Sequence, residues 1–436
     1  MPVARADFLV TNIGQLMVIP PQAGPKRGPS MKELGIVEDA VLAVKDGKVL
    51  AAGARDDVLP SVSLTPDAHV VDAGGRLVTP GFVDAHTHLV FAGWRYEEYA
   101  MRSAGSSYLE IAEKGGGIAS TVRATRDASA EELFERALGV LDLMLASGTT
   151  TAETKSGYGL SLEDEVKQLL VVRMLRERHP IDLVPTFLGA HAIPPEYSGD
   201  RQAYVDLVIE MLPEIRRRGL AEFVDVFCDA GAFNIDETER ILRSALDLGF
   251  GLKVHADELE WTGATELACR MGAASCDHLL KVSDEGIAML ARTPSKAMGA
   301  TSHTVAVLLP ATSVFLGKTQ GAPARSLIDR GAAVALGTDF NPGTCTAVSM
   351  PLCMTLACSV LRMGPEEAFT AATWNAAWAS GLGNRAGSLA VGFPADVVLI
   401  DAADYREVPY RFGWNAVFRV YKKGKEVWSK RPSVED

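Results

Sequence analysis

The residues best equipped for chemistry in this sequence are histidines and carboxylates that end apolar runs. In Val83-Asp84-Ala85-His86-Thr87-His88 two imidazoles stand one residue apart, so on an extended strand both project to the same face and can bind one ion. A His-x-His pair also arises by chance; what distinguishes this one is the preceding Thr79-Pro80-Gly81-Phe82 turn and its place at a strand end. His255 closes the apolar run Gly251-Leu252-Lys253-Val254, and Asp339 closes Ala333-Val334-Ala335-Leu336-Gly337-Thr338. A buried aspartate needs a cation or an ion-pair partner. Three imidazoles and a carboxylate suit zinc or iron(II), with one position left for water. That is the equipment of a metal-dependent hydrolase acting on a small molecule.

The elements that must position these groups follow from periodicity. β-rich apolar segments alternate with helix-period segments, and the strands are expected to end near His86 and His88, Glu153, His191, Cys228, His255, His278, Thr312 and Asp339. Between them, Glu131 to Ala146, Glu163 to Arg178, Gln202 to Arg218 and Glu237 to Leu248 carry apolar residues at three- and four-residue spacing, the mark of helices with one buried face. Eight alternations predict an α/β fold, a (β/α)8 TIM barrel, whose chemistry gathers at the C-terminal ends of the strands. His69 and His179 fall elsewhere and read as surface residues, and His303 precedes the seventh strand, on the opposite side of the barrel.

Both chain ends are written differently. Ala40 to Val44 and Val49 to Ala52 flank the turn Lys45-Asp46-Gly47-Lys48, while Ala395 to Ile400, Phe418 to Tyr421 and Glu426 to Trp428 repeat the same style around Lys422-Lys423-Gly424-Lys425, which predicts hairpins. The expected organisation is residues 1–79 and 386–436 forming one small β-sandwich domain, with the catalytic barrel at 80–385.

Composition excludes several function classes. A net charge of −12 argues against nucleic acid and anionic membranes as partners. The Phe8 to Pro21 run is interrupted by Asn12, Gly14 and Gln15, and Val305 to Leu316 contains Pro310, so neither a signal peptide nor a membrane span is expected. Cys228, Cys269, Cys276, Cys345, Cys353 and Cys358 show no Cys-x-x-Cys or disulfide spacing; reduced thiols in a cytoplasmic protein are the expectation.

The chain resembles the amidohydrolase superfamily. The likeness rests on His86-Thr87-His88, His255, His278, Asp339 and the late motif Gly387-Ser388-Leu389 with Gly392 and Ala395-Asp396. Within it the sequence is most similar to the imidazolonepropionases, through Leu89-Val90-Phe91-Ala92-Gly93 with Arg95, Gly115-Gly116-Gly117-Ile118, Lys155-Ser156-Gly157-Tyr158-Gly159-Leu160, Gly189-Ala190-His191, Asp225-Val226-Phe227-Cys228, His255-Ala256-Asp257-Glu258, Asp277-His278-Leu279 and Asp339-Phe340-Asn341-Pro342-Gly343. The resemblance implies ring-amide hydrolysis of 4-imidazolone-5-propanoate to N-formimidoyl-L-glutamate in histidine degradation, by a metal-activated water. It implies one zinc or iron ion on His86, His88, His255 and Asp339, and a substrate held by Arg95, Tyr158, His191, Glu258, Asn341, Gly343 and Thr344. Glu258, His278 and Asp339 become the candidates for proton transfer and oxyanion stabilisation, and a homodimer the implied assembly. Two departures stand out: Thr293 to Thr304 looks longer than the family's link into the seventh strand, and Asp229 stands where Glu is expected.

Each assignment has a plainer rival. Lys155 could be a carboxylated lysine bridging two metals, although it follows the second strand rather than the fourth. The glycines at 115–117 could cradle a phosphate, but without a following Lys-Ser/Thr a mobile active-site loop is the expectation. Arg95 could be an ordinary surface guanidinium, Tyr158 a packing residue and Glu258 a solvated loop carboxylate. The rival functions are a purine or pyrimidine deaminase of the same superfamily, whose substrates lack the carboxylate that Arg95 with Tyr158 would read, and a non-catalytic scaffold, which would have lost ligands present here.

Overall fold

The computed structural model describes residues 4–106, 115–292, 294–295 and 302–430. Eight parallel strands form the central sheet, in the order Phe82–Asp84, Thr149–Lys155, Asp182–Ala190, Phe223–Cys228, Gly251–Ala256, Ser275–His278, Val305–Leu308 and Val334–Leu336. Each is bonded to the next in parallel register. The seam between the eighth and first strands closes just beyond their ends: Asp339 donates its N–H to the His86 carbonyl (2.9 Å), His88 donates to the Phe340 carbonyl (2.8 Å), and Thr87 bridges Phe340. Gly337 permits this approach, since a Cβ there would stand 2.9 Å from that of His86. The last stitches of the barrel are therefore made by the residues expected to bind metal.

Strand alternation separates two environments. Val224, Val226, Leu252, Val254 and Ala152 belong to the apolar core shared with the surrounding helices. The intervening residues Glu153, Lys155, Asp225, Lys253 and His255 are buried too, and being on the opposite face they fill the barrel with charge. The helices Ala130–Ala146, Leu162–Arg178, Arg201–Arg217 and Ile235–Asp247 lie within two residues of the sequence expectation. Their starts are fixed by Ser129, Ser161, Asp200 and Asn234, whose side chains each accept a backbone N–H of the first turn.

The chain ends share one eight-stranded sheet. Lys425–Ser429, Val417–Lys422, Val397–Ile400, Leu77–Pro80, Ala4–Met17, Ile36–Lys45 and Lys48–Ala54 follow one another across it, and Val62–Asp72 pairs with Ala4–Met17. Both expected hairpins are present. Phe8, Val10, Leu42, Val44, Val397, Leu399 and Tyr421 form its core, drawn from both termini.

Two expectations are corrected. The seventh strand stops at Leu308, and Thr312 lies in the helix Pro310–Phe315; proline is well suited to a first helical turn and ends the strand there. His179 is buried rather than on the surface. It follows the helix Leu162–Arg178, its Nδ1 accepting the Ile181 N–H and its Nε2 3.4 Å from Asp142. His69 is exposed and stacks on Phe8. The long link at 293–304 falls mostly outside the described residues; Pro294–Ser295 pairs with Ser302–His303. The glycines at 115–117, expected to form a mobile loop, lie in the turn that leads into the helix Ile118–Asp127.

Candidate active site

At the C-terminal end of the barrel the Nε2 atoms of His86 and His88 lie 3.3 Å apart, and those of His88 and His255 3.5 Å apart. Asp339 Oδ1 stands 3.5 Å from His86 Nε2 and 3.6 Å from His88 Nε2. His278 joins through its proximity to His86 and Asp339. All five side chains are buried. The backbone is bent to aim them: His278 and Asp339 have φ of 77° and 53°, a left-handed conformation that non-glycine residues hold only when their surroundings enforce it.

The chemistry of this donor set fits a divalent cation. His86 Nδ1 lies 2.6 Å from Asp277 Oδ2 and donates its proton there, which leaves a lone pair on Nε2. His255 Nδ1 faces Asp225 Oδ2 at 3.1 Å. Burial pushes His86 and His88 well below the ordinary imidazole range, so both are neutral. Lone pairs of adjacent imidazoles and a carboxylate oxygen thus face one another with too few protons to satisfy them, and a metal ion is what reconciles them.

The groups expected to handle protons sit beside this cluster. Glu258 Oε2 is 3.6 Å from His278 Nδ1, and its Oε1 is 3.5 Å from Lys318 Nζ. Burial works to raise the Glu258 carboxyl, but His278 and Lys318 override it and hold it below the usual range, so the group is an ionised base. It is not a solvated loop carboxylate: the residue is only 9% exposed. Asp339 is raised by burial, with His278 and the Thr312 hydroxyl opposing; that hydroxyl donates to Asp339 Oδ2 at 2.7 Å.

The residues expected to hold the substrate are carried on loops. The Arg95 side chain is 8% exposed and donates from Nε and Nη2 to Glu98 Oε2, at 2.9 and 2.7 Å. Glu98 in turn accepts the Gly117 N–H at 2.8 Å. The guanidinium lies against Gly343, where a Cβ would fall 2.1 Å from Nη1 and push the guanidinium aside. Tyr158 is buried, its ring 5.9 Å from His88 and 5.2 Å from His191, and burial raises its hydroxyl above the usual phenol range despite Arg95 nearby. His191 stacks on His88 at 5.2 Å and gives Nδ1–H to the Gly157 carbonyl at 2.9 Å. Burial lowers it to about 3, so its ring is neutral.

Asn341 and Thr344 are mostly occupied with their own loop. Asn341 Oδ1 accepts the N–H groups of Gly343 and Thr344, and its Nδ2 donates to the Asp339 carbonyl. Asp229 accepts the N–H groups of Ala230, Glu258, Leu259 and Glu260, which fixes the turn carrying Glu258. Sequence reasoning assigned no part to Asp225, Asp277, Glu98, Thr312 or Lys318. The signal available was inward spacing: Asp225 alternates with Val224 and Val226, and Asp277 adjoins His278.

The family model described as "Amidohydrolase family" matches residues 77–427. An imidazolonepropionase of Symbiobacterium thermophilum is 50% identical over 423 residues, covering 97% of each chain. One from Bacillus velezensis is 46% identical over 435 residues, covering 98% of each. Among solved structures, a zinc-bound adenosine deaminase of Xanthomonas campestris matches with a TM-score of 0.71 at 18% identity, covering 100% of this chain and 96% of its own. The guanine deaminase of E. coli gives 0.71 at 18% identity, over 97% and 99%. At such identities those structures speak to the fold alone. Fold, ligand cluster and near full-length relatives converge: the chain belongs to the amidohydrolase family and, within it, to the imidazolonepropionases.

Proposed function

We propose that this protein hydrolyses the ring amide C–N bond of 4-imidazolone-5-propanoate to N-formimidoyl-L-glutamate, in histidine degradation. The observation that carries the hydrolytic reading is the convergence of three imidazole Nε2 atoms and the Asp339 carboxylate in one buried cluster; the names of the relatives support the substrate. His86, His88, His255 and Asp339 hold one zinc or iron ion per chain. When bound there, the ion supplies Lewis acidity, acidifying a water and polarising the ring carbonyl. Glu258 takes the proton of the attacking water and passes it to the departing ring nitrogen, which cannot leave as an anion. His278 steadies the developing negative charge on the former carbonyl oxygen, and Asp339 shares in the proton transfer. Arg95 reads the propionate carboxylate, with Tyr158 beside it; His191 and Glu258 meet the ring, and the Asn341-Gly343-Thr344 loop shapes the wall against which Arg95 rests.

A single ion is supported by Lys155, whose ammonium is engaged by buried carboxylates and so is no candidate for a carboxylated bridging ligand. Residues 80–385 form the catalytic unit and 1–79 with 386–436 the β domain; the strand Leu77–Pro80 bonds to Val397–Ile400 at that boundary. All six cysteines are free, in keeping with a reducing cytoplasm. No described helix is long and apolar enough to cross a membrane.

The test is a substrate panel on metal-reconstituted protein: imidazolone propionate, guanine, cytosine and hydantoins, with product mass and elemental analysis. Ring opening of imidazolone propionate with one ion per chain is expected. Faster ammonia release from guanine or cytosine would hand the site to the deaminase reading, and two ions with a carboxylated Lys155 would overturn the single-ion reading.

A further inference from the structure

Beneath the ligand cluster lies a group that the reaction as written does not use. Lys155 ends the second strand pointing into the barrel and is fully buried. Its Nζ is 2.8 Å from Glu153 Oε1, 2.8 Å from Asp225 Oδ2 and 3.7 Å from Asp277 Oδ2. Two of those oxygens are the ones that meet imidazoles: Asp225 Oδ2 faces His255 Nδ1 and Asp277 Oδ2 faces His86 Nδ1. One ammonium therefore stands behind two of the three imidazoles. The third, His88, has no carboxylate against its Nδ1 among the ion pairs of the described residues.

We infer that Lys155 is the shared positioning residue of the metal centre: by holding the Asp225 and Asp277 carboxylates in place behind His255 and His86, it orients both rings so that their Nε2 atoms face the ion. A carboxylate oxygen held against Nδ1 favours the proton on that nitrogen and leaves the lone pair on Nε2, whereas a carboxylate free to move away would let the ring change its tautomer. Three acidic side chains gathered around one buried point need a group that draws them together, and the Lys155 ammonium stands there. Lysine suits the task because its compact ammonium carries three donors and there are three oxygens to meet. Burial pulls the ammonium's proton affinity down, but Asp225, Glu153 and Asp277 more than reverse this and hold it above the ordinary lysine value.

The inference rests on the reading that His86 and His255 hold the ion, and its test separates the two. Zinc affinity is measured by chelator competition for wild type, Lys155→Met and Glu153→Gln. The ring tautomers are read from 15N shifts of histidine-labelled, metal-free protein. Lys155→Met is expected to weaken zinc binding roughly 10- to 100-fold, the usual cost of losing a group behind a metal ligand, and to turn two of the Nδ1–H tautomers into mixtures. Glu153→Gln removes a buried charge but touches neither imidazole-bearing aspartate, and is expected to keep both affinity and tautomers. Should Lys155→Met not fold, Lys155→Met combined with Glu153→Gln, which removes the pair as a neutral unit, carries the same expectation. Unchanged zinc affinity and tautomers in the folded lysine variant would overturn the inference, as would an equal loss in Glu153→Gln. Wild type that binds no zinc or iron would instead overturn the metal site itself.

Discussion

The two halves of the candidate site are built in opposite ways. In the reading proposed above, the metal half sits on strand ends and on the seam that closes the barrel, where His86 and His88 exchange backbone hydrogen bonds with Asp339 and Phe340. Behind it stands a charged interior that supports the rings. The anion half is carried by loops: Arg95 precedes the helix Tyr96–Ser103, Tyr158 lies between two glycines, and the 341–344 turn is held by its own side chains. On this reading the metal half is preorganised by the fold, whereas the substrate half rests on loops outside the barrel strands. One scaffold can thereby keep its hydrolytic chemistry and exchange its substrate, which is also why deaminases share the fold at 18% identity.

The comparison predicts that damage to the metal half is nearly total. His255→Ala or Asp339→Ala should lose bound metal and at least ~10⁴-fold in kcat/KM, since Lewis acidity is worth several kcal/mol. Elemental analysis beside steady-state assays checks this. An alanine variant retaining both metal and turnover would mean that the ion is held elsewhere.

Glu258→Gln separates metal from proton transfer. Glutamine keeps the shape and one acceptor oxygen but cannot exchange a proton, so metal content should persist while kcat falls by roughly 10² to 10⁴. His278→Asn should likewise retain metal. Full metal with near-normal kcat in Glu258→Gln would move the proton transfer to Asp339, which already receives the Thr312 hydroxyl.

What was legible in the sequence divides along the same line. Ligand histidines end apolar strands, and helix starts carry Ser, Asp or Asn caps, so the barrel and its metal-binding end could be read locally. The supporting carboxylates could not. Asp277 meets His86 across 191 residues of sequence, and no local pattern announces such a pair. The end of the seventh strand was misplaced because Val305 to Leu316 reads as one apolar run, although Pro310 marked the break. His179 looked like a surface residue because it follows Arg176, Glu177 and Arg178; its burial depends on the packing of the turn after the helix.

Damage to the anion half should be smaller and confined to substrate handling. In Arg95→Lys the fork is lost: Lys offers a point charge and cannot serve both Glu98 and a bound carboxylate. A charge-assisted hydrogen bond is worth about 1.5–3 kcal/mol, so kcat/KM should drop roughly 10- to 100-fold, mainly through KM, with metal content unchanged. Equal kcat/KM in wild type and Arg95→Ala would remove the carboxylate clamp, and with it the argument against a deaminase.

The smallest effect is expected at Asp229, where the family resemblance leads to the expectation of a glutamate. Its two carboxylate oxygens accept four backbone N–H groups, from Ala230, Glu258, Leu259 and Glu260, so it holds the base by its main chain without touching the chemistry. Asp229→Asn presents one oxygen and an NH2 group to those donors. The lost acceptor costs about 1–2 kcal/mol, and because Glu258 must stay within proton-transfer reach, kcat should fall by about tenfold with zinc content and KM little changed. Asp229→Glu restores both acceptors on a longer stem, and the turn needs only a small shift to meet them. It should therefore lose no more than a few-fold in kcat. The pair distinguishes charge and acceptor count from length: if glutamate were the more damaging substitution, the turn would be set by the reach of the side chain, and the aspartate here would mark a differently shaped loop around Glu258.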